Sequence, residues 1–328
     1  MKRRYWLSIF IVALVIGGVG WWKLRSRHED WENDGSYSGP LTRVIAPYDA
    51  SKHPSRPWLD PQPQPAPPAT RRTYTASTIT QQTDYLLYLP PDYEKDTTRR
   101  YPVIYWLHGY GAFPHHADGF IHTLDAAVRE NKCPPIIAVV PNGLRDSWYV
   151  DSADGSQPVE TVIIKDLIVH IDATHRTIPD RTARALEGFS MGGWGAAHLL
   201  FKHPDLFCAA TLIGAPIPTV SAYKRWHMPE FQRIFGGDEK AFYAEDPATW
   251  ARRHADVLRD KVRVRFLIGE WDGNRGWTHA FHKRLSDWQI PSIVVEAPKI
   301  GHSDAEVYER LGPAAFEFYR DLFKPAAR

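Results

Sequence analysis

The chain has 328 residues, with 40 Lys and Arg against 38 Asp and Glu and a formal net charge of +2. That length holds one sizeable domain with extra segments. The near-neutral balance excludes an electrostatic footprint for nucleic acid. Two cysteines neither require nor exclude an oxidising compartment.

In chain order, Lys2-Arg3-Arg4 leads into an apolar run from Trp6 to Trp22, followed by Lys23, Arg25 and Arg27. At 1.5 Å per residue the run spans roughly 25 Å, just short of a hydrocarbon core of about 30 Å. Aromatic ends and basic flanks make residues 1–28 a single-pass membrane anchor. The competing reading is a signal peptide with Gly18 and Gly20 as the small residues before the cut, although Lys23 and Arg25 would crowd the cleavage site. The first reading holds the domain at the cell membrane, outside the cytoplasm; the second makes it secreted or periplasmic. Residues 29–70 follow as a proline-rich tether. Pro54, Pro57, Pro61, Pro63, Pro65, Pro67 and Pro68 favour extended, semi-rigid chain. The expected domain covers 71–328.

Thr83 to Leu89 reads as an early antiparallel strand. Apolar runs follow at 103–107, 136–140, 183–189, 209–213, 264–268 and 293–295. They are short and mostly continuous, as in a parallel sheet covered on both faces. Helical patterns lie between them at 121–131, 159–174, 194–201, 276–288 and 305–322. In the second, Val159, Val162, Ile163, Asp166, Leu167 and His170 recur at helical spacing. The alternation predicts an α/β fold with a mostly parallel central sheet flanked by helices. Residues 215–245 are less periodic and rich in Pro, Trp, Tyr and Phe. They form either a cover over a pocket or a long loop with a short helix.

The densest chemical signal is Gly188-Phe189-Ser190-Met191-Gly192-Gly193. It lies between a strand-like and a helix-like run, the setting of a nucleophile elbow. The small flanking residues let neighbouring backbone pass close to the serine. In this class the chain order is nucleophile, acid, histidine. Downstream, the strand candidate 264–268 ends in Gly269-Glu270-Trp271-Asp272-Gly273, and the candidate 293–295 runs on to Gly301-His302. Strand ends of an open α/β sheet share one edge, so Ser190, Asp272 and His302 can converge. A serine hydroxyl needs a base to take its proton, and the base needs a carboxylate to fix its tautomer. Glu270 is the rival acid in the same loop; Asp272 has the shorter side chain, further along. His254, His279 and His282 fall on predicted helices and are read as surface or packing residues. Val103 to Leu107 runs into His108-Gly109-Tyr110-Gly111, the setting of an oxyanion loop. The expected donors are the backbone amides of Tyr110 and Met191. Because backbone donates, the Tyr110 side chain is expected to matter less than anything that moves the loop. The His108 ring is expected to hold the loop's shape.

From about Arg72 to Phe323 the chain resembles the putative-esterase branch of the α/β hydrolases, which includes S-formylglutathione hydrolase, feruloyl and acetylxylan esterases, enterochelin esterases and the mycolyltransferases. The residues that carry the resemblance are Tyr88 to Tyr93, Tyr101-Pro102-Val103, Leu107-His108-Gly109, Pro141-Asn142-Gly143, Ser147-Trp148-Tyr149, Asp151-Ser152, Gly188 to Gly193, His203 to Phe207, Gly269 to Asp272 and Gly301-His302. It implies the α/β-hydrolase fold, the same three residues as a triad, and an acyl pocket near Trp148 and Tyr149. Ala112 and Gly214-Ala215 depart from the family's usual residues; neither is expected to touch the triad, and both leave pocket shape open. With the family's strand order, Cys133 and Cys208 sit about three strands apart, roughly 14 Å at 4.8 Å per strand. That exceeds the reach of a disulfide, so both are expected as free thiols.

The implied activity is a serine carboxylesterase acting through an acyl-enzyme. Trp148, Tyr149 and Trp271 are the expected substrate contacts, with Trp194 nearby. Aromatic faces pack on rings, so carbohydrate-linked acetyl and aryl esters are the candidate substrates. Packing aromatics would look the same in sequence. An acyltransferase of the same fold, moving an acyl group to a sugar hydroxyl, is the first alternative. A peptidase and a non-catalytic scaffold are the others. No phosphate-binding glycine loop and no spaced Cys/His set occurs, so no metal and no cofactor is expected. The membrane, through residues 1–28, is the one further partner expected.

Overall fold

The computed structural model describes residues 57–61, 65 and 67–323. The anchor or signal segment and most of the tether lie outside these residues. Among the described residues no helix is long and apolar enough to cross a membrane.

Among the described residues, eight strands form one sheet in the order β1-β2-β4-β3-β5-β6-β7-β8. They are β1 (Thr70–Ala76), β2 (Gln81–Tyr88), β3 (Val103–Leu107), β4 (Ile137–Pro141), β5 (Arg184–Phe189), β6 (Ala209–Ile213), β7 (Arg263–Gly269) and β8 (Ser292–Ala297). β1 and β2 pair antiparallel, as do β2 and β4; every other pairing is parallel. Side chains alternate between two buried layers. Val103, Tyr105 and Leu107 of β3 join the core on one face, and Ile104 and Trp106 join the core on the other. Burial on both faces is why the strands read as continuous apolar runs.

The first face is covered by the helical stretch Val159–Thr161, Val162–Leu167 and Ile168–Thr174, labelled α2, and by α3 (Met191–Lys202). The middle of α2 is a wider π turn. The second face is covered by α1 (Asp118–Arg129) and two C-terminal helices.

Most of residues 220–245 is helical. α4 (Val220–Trp226), α5 (Met228–Phe235) and α6 (Glu239–Glu245) follow one another, then α7 (Pro247–Arg253) and α8 (Ala255–Lys261). Thr219 caps the Ala222 amide, Gly236 ends α5 at φ +62°, and Asp238 caps the Lys240 amide. Tyr223, Phe231, Phe235 and Phe242 pack ring to ring, with Phe235 and Phe242 5.2 Å apart and Tyr223 and Phe242 5.1 Å apart. α4, α5 and α6 form a unit with a shared aromatic interior, called the cap below. α9 (Arg275–Asp287) follows β7.

Three readings change. β1 escaped the sequence pattern: TRRTYTA buries only Tyr74 and Ala76 fully, as an edge strand does. The helix expected over 305–322 breaks into α10 (Asp304–Leu311) and α11 (Glu317–Leu322). Gly312 at φ +57° and Pro313 interrupt it, because proline cannot continue the ladder. Within the stretch read as tether, Trp58 is 8% exposed in the core and Asp60 is 4% exposed.

Candidate active site

Ser190 stands between β5 and α3 at φ 54°, ψ −116°. A non-glycine residue there is strained and persists only where its surroundings fix it. The surroundings are tight. Ser190 donates its N–H to the Ile213 carbonyl at 2.8 Å, and the Trp194 amide donates to the Ser190 carbonyl at 3.1 Å. A Cβ on Gly188 would collide with the Gly192 carbonyl, and one on Gly192 would collide with the Leu107 carbonyl. Both glycines are therefore demanded by backbone passing beside the serine.

His302 follows β8, and its ring lies 4.6 Å from that of Phe189. Its Nε2 is 2.9 Å from Ser190 Oγ, and its Nδ1 is 2.8 Å from Asp272 Oδ2. The only tautomer serving both contacts has Nδ1–H donating to the carboxylate and Nε2 accepting from the hydroxyl. The His302 side chain is 39% exposed and that of Asp272 is 3% exposed. The base is thus open to solvent while the carboxylate is sheltered. Asp272 Oδ1 accepts from the Asn274 amide at 2.8 Å. Glu270, the rival acid, turns away and accepts from the Lys299 amide at 2.9 Å.

Two residues of this arrangement were missed by sequence reasoning. Asn274 donates its side-chain amide to the Gly214 carbonyl at 2.8 Å, tying the acid loop to the loop after β6. Gly214, at φ +54°, passes so close that an added Cβ would lie 2.8 Å from Asp272 Oδ2 and 3.1 Å from the His302 ring. The departure noted at Gly214-Ala215 therefore touches the serine-histidine-aspartate line. A glycine directly after an apolar strand was the signal available.

The oxyanion candidates lie on the two segments that meet at the elbow. Met191 opens α3, where the first amides have no helical partner. The backbone of Leu107 and His108 abuts Gly192, which brings the loop carrying Tyr110 alongside. His108 is fully buried. Its Nδ1 donates to the Gly109 carbonyl at 3.1 Å, and its Nε2 accepts from the Gly143 amide at 3.2 Å. Burial pushes its pKa down to about 4, so it is a neutral brace for the loop.

Residues 76–285 match the family described as "Putative esterase". The chain belongs to this esterase family. Among curated relatives, "Esterase Rv1288" of Mycobacterium tuberculosis (strain ATCC 25618 / H37Rv) is 37% identical over 133 residues, 39% of this chain and 28% of that protein. The "Endo-1,4-beta-xylanase/feruloyl esterase" of Xylanibacter ruminicola is 31% identical over 130 residues, 37% of this chain and 18% of that protein. The chain therefore spans less than a third of the length of these relatives. Among solved structures, a ferulic acid esterase is 22% identical at a TM-score of 0.66, covering 78% of this chain and 98% of its own. An S-formylglutathione hydrolase from Agrobacterium tumefaciens is 16% identical at 0.62, covering 78% and 95%. The fold is that of the α/β hydrolases.

The expected substrate contacts of this esterase-family chain divide. Trp271 is 66% exposed, one residue before Asp272. Trp148, Tyr149 and Trp194 are corrected: all are buried, at 2%, 0% and 0% exposure. The Trp148 ring packs against Trp194, Tyr223 and His227. Tyr149 is wedged between Gly143 and Gly195 and donates its hydroxyl to the His108 carbonyl at 3.0 Å. These rings build the walls behind the site and offer no face to a ligand.

One described cluster has metal-ligand types: Glu160, His198 and Glu245, within 4.8 Å of one another. Lys202 already supplies its cation, reaching Glu160 Oε2 at 2.8 Å and Glu245 Oε2 at 2.5 Å. Burial alone would raise the Glu160 pKa; His198, His203 and Lys202 outweigh it and hold the carboxyl well below its ordinary range. The cluster is an ion network pinning α3 to α2 and the cap. A cleft of about 680 Å³ opens elsewhere, lined by Arg181, Arg263, Arg265 and Arg320; neither Ser190 nor His302 lines it.

Proposed function

We propose that the chain is a serine carboxylesterase in which Ser190, His302 and Asp272 act as nucleophile, base and orienting acid. The observation that carries this reading is the unbroken hydrogen-bond line from Ser190 Oγ through His302 to Asp272, at 2.9 and 2.8 Å. Ser190 Oγ attacks the ester carbonyl while His302 Nε2 takes its proton. Charge develops on the carbonyl oxygen, where the amides of Tyr110 and Met191 hold it. His302 then returns the proton to the departing alcohol, leaving an acyl group on Ser190. Water, deprotonated by His302, releases the acid. Asp272 keeps the imidazole in the working tautomer and stabilises its cation.

The substrate class is an ester of a carbohydrate or an aryl acid. The exposed Trp271 beside Asp272 and the feruloyl-ester names of related proteins support it. Residues 1–28 serve as an anchor or export signal placing the catalytic domain outside the cytoplasm. The apolar run Trp6 to Trp22 with basic flanks supports this.

The test is hydrolysis of p-nitrophenyl acetate, methyl ferulate and acetylated xylo-oligosaccharides by the full chain and its Ser190→Ala variant. Turnover lost on substitution is expected. A folded wild type inert on all three would refute the reading. Acyl transfer to an added sugar that outruns hydrolysis would replace it with the transferase.

A further inference from the structure

We propose that Glu230, on cap helix α5, is a positioning residue for the oxyanion loop and acts through the side chain of Tyr110. The inference rests on the esterase reading above. Tyr110 is half-exposed, yet its hydroxyl donates to Glu230 Oε1 at 2.6 Å. Glu230 itself is 4% exposed. Its other oxygen is 3.8 Å from His227 Nδ1. A carboxylate buried in an aromatic cap is costly unless its hydrogen bonds are met, and here the short bond comes from the loop.

The contacts close into a ring. One turn after Glu230, Arg233 donates to the Asp146 carbonyl at 2.7 Å and pairs with Asp146 Oδ1 at 3.1 Å. The residue before Asp146 is Arg145, which exchanges two bonds with Gly111. The Gly111 amide donates to the Arg145 carbonyl at 2.6 Å, and Arg145 Nε donates to the Gly111 carbonyl at 2.9 Å. Gly111 is peptide-bonded to Tyr110. The circuit thus runs from Tyr110 to Glu230, along α5 to Arg233, through Asp146 and Arg145, and back to Gly111.

Tyr110 is held through its side chain and Gly111 through its amide and carbonyl, both just after the Gly109–Tyr110 peptide that carries the donor amide, and both holds lead to α5. Burial first, and then the Glu230 bond, keep the phenol protonated well above its ordinary range, so it remains the donor. An oxyanion donor is worth about 10²- to 10³-fold in kcat only when it is aimed in advance. The cap is therefore a brace for the transition state. The Tyr110 side chain, which contributes nothing to the amide's chemistry, sets where the amide points.

The test compares Tyr110→Phe, Glu230→Ala, the double variant and Glu230→Gln in the full chain. The readouts are kcat and KM on p-nitrophenyl acetate, the Ki of benzeneboronic acid, and the melting temperature. Tyr110→Phe and Glu230→Ala are each expected to lower kcat roughly tenfold, a fraction of the loss of a whole donor. KM should stay within about twofold, and boronate affinity should fall with kcat. The double variant should be no worse than the poorer single one, because both cut the same link. Glu230→Gln should recover most activity, since its carbonyl oxygen still accepts.

Unchanged kcat in an active, Ser190-dependent enzyme would overturn this inference alone, as would losses that multiply or a change confined to KM. Should Glu230→Ala not fold, Tyr110→Phe and Glu230→Gln decide by the same criteria. A wild type that turns over no ester overturns the esterase reading and this inference with it.

Discussion

Trp58 and Asp60 make the clearest quantitative prediction, because they lie outside the stretch that matches the family and inside the fold. Trp58 sits in the core at 8% exposure, and its carbonyl accepts from the Asp84 amide at 3.2 Å. Asp60 donates its amide to Asp84 Oδ2 at 2.8 Å and accepts from Arg71 Nη2 at 2.7 Å through its carbonyl. Its carboxylate accepts from the His115 amide at 3.2 Å and from His115 Nδ1 at 2.7 Å. Such bonds contribute about 1 kcal/mol net each. Ordering the short segment that makes them costs about 1–2 kcal/mol per residue. Those contributions roughly cancel, so burial of the indole decides, and removing it costs about 3–5 kcal/mol. At 2–4 °C per kcal/mol for a domain of this size, a chain beginning at Arg71 should melt roughly 10 °C below one beginning at Thr42. Trp58→Ala in the longer chain should reproduce most of that drop. Thermal unfolding followed by circular dichroism reads it. Midpoints within about 2 °C would show that the segment rests on the domain without stabilising it.

Other consequences can be tested alongside. Asp272→Asn should lower kcat by about 10⁴ through the wrong His302 tautomer, while Glu270→Gln should stay within about twofold; equal losses would reassign the acid. Gly214→Ala should impair kcat strongly, because φ is +54° and its Cβ would press on Asp272 and His302; wild-type kinetics would refute the contact. His108 has its folded pKa depressed to about 4 from an ordinary 6.5. Its stabilising contribution is therefore complete above pH 6.5 and is lost as pH falls toward 4, at about 1.4 kcal/mol per unit and roughly 3 kcal/mol in all. Urea unfolding between pH 7.5 and 4.5 should show that slope in the wild type and lose it in His108→Gln. Matching slopes would refute it.

The parallel core was legible because burial on both faces writes an unmistakable pattern. β3, β4, β5, β6 and β7 are mostly apolar runs, broken in β5 by Glu187 and in β7 by Arg265, and each emerged within a residue or two. β1 was not legible, because an edge strand that packs through Tyr74 and Ala76 alone carries almost no pattern. The cap was not legible for a different reason. Its helices are seven or eight residues long, too short for periodicity, and their evidence is in the caps Thr219, Gly236 and Asp238. Ser190, Asp272 and His302 could be named as candidates because each follows a strand that is readable. Asn274 could not, because its side chain contributes through one hydrogen bond to the Gly214 carbonyl across the sheet edge.

The aromatic residues show where sequence reasoning stops. Trp148, Tyr149, Trp194 and Trp271 all lie within a few residues of a motif, and nothing local separates them. In the fold, three are walls and one is exposed. The decisive information is held by other segments. Gly143 and Gly195 leave the space that Tyr149 fills, and Tyr223 and His227 of the cap close over Trp148. A tryptophan becomes a substrate platform only when no other element claims its face. The same logic makes Tyr110 informative. Its position beside Gly109 marked it as a candidate backbone donor, but the partner that its side chain finds comes from a cap helix 120 residues further along the chain. Residues that do chemistry can be found from their neighbours in sequence, whereas those that hold the chemistry in place are found from their neighbours in space.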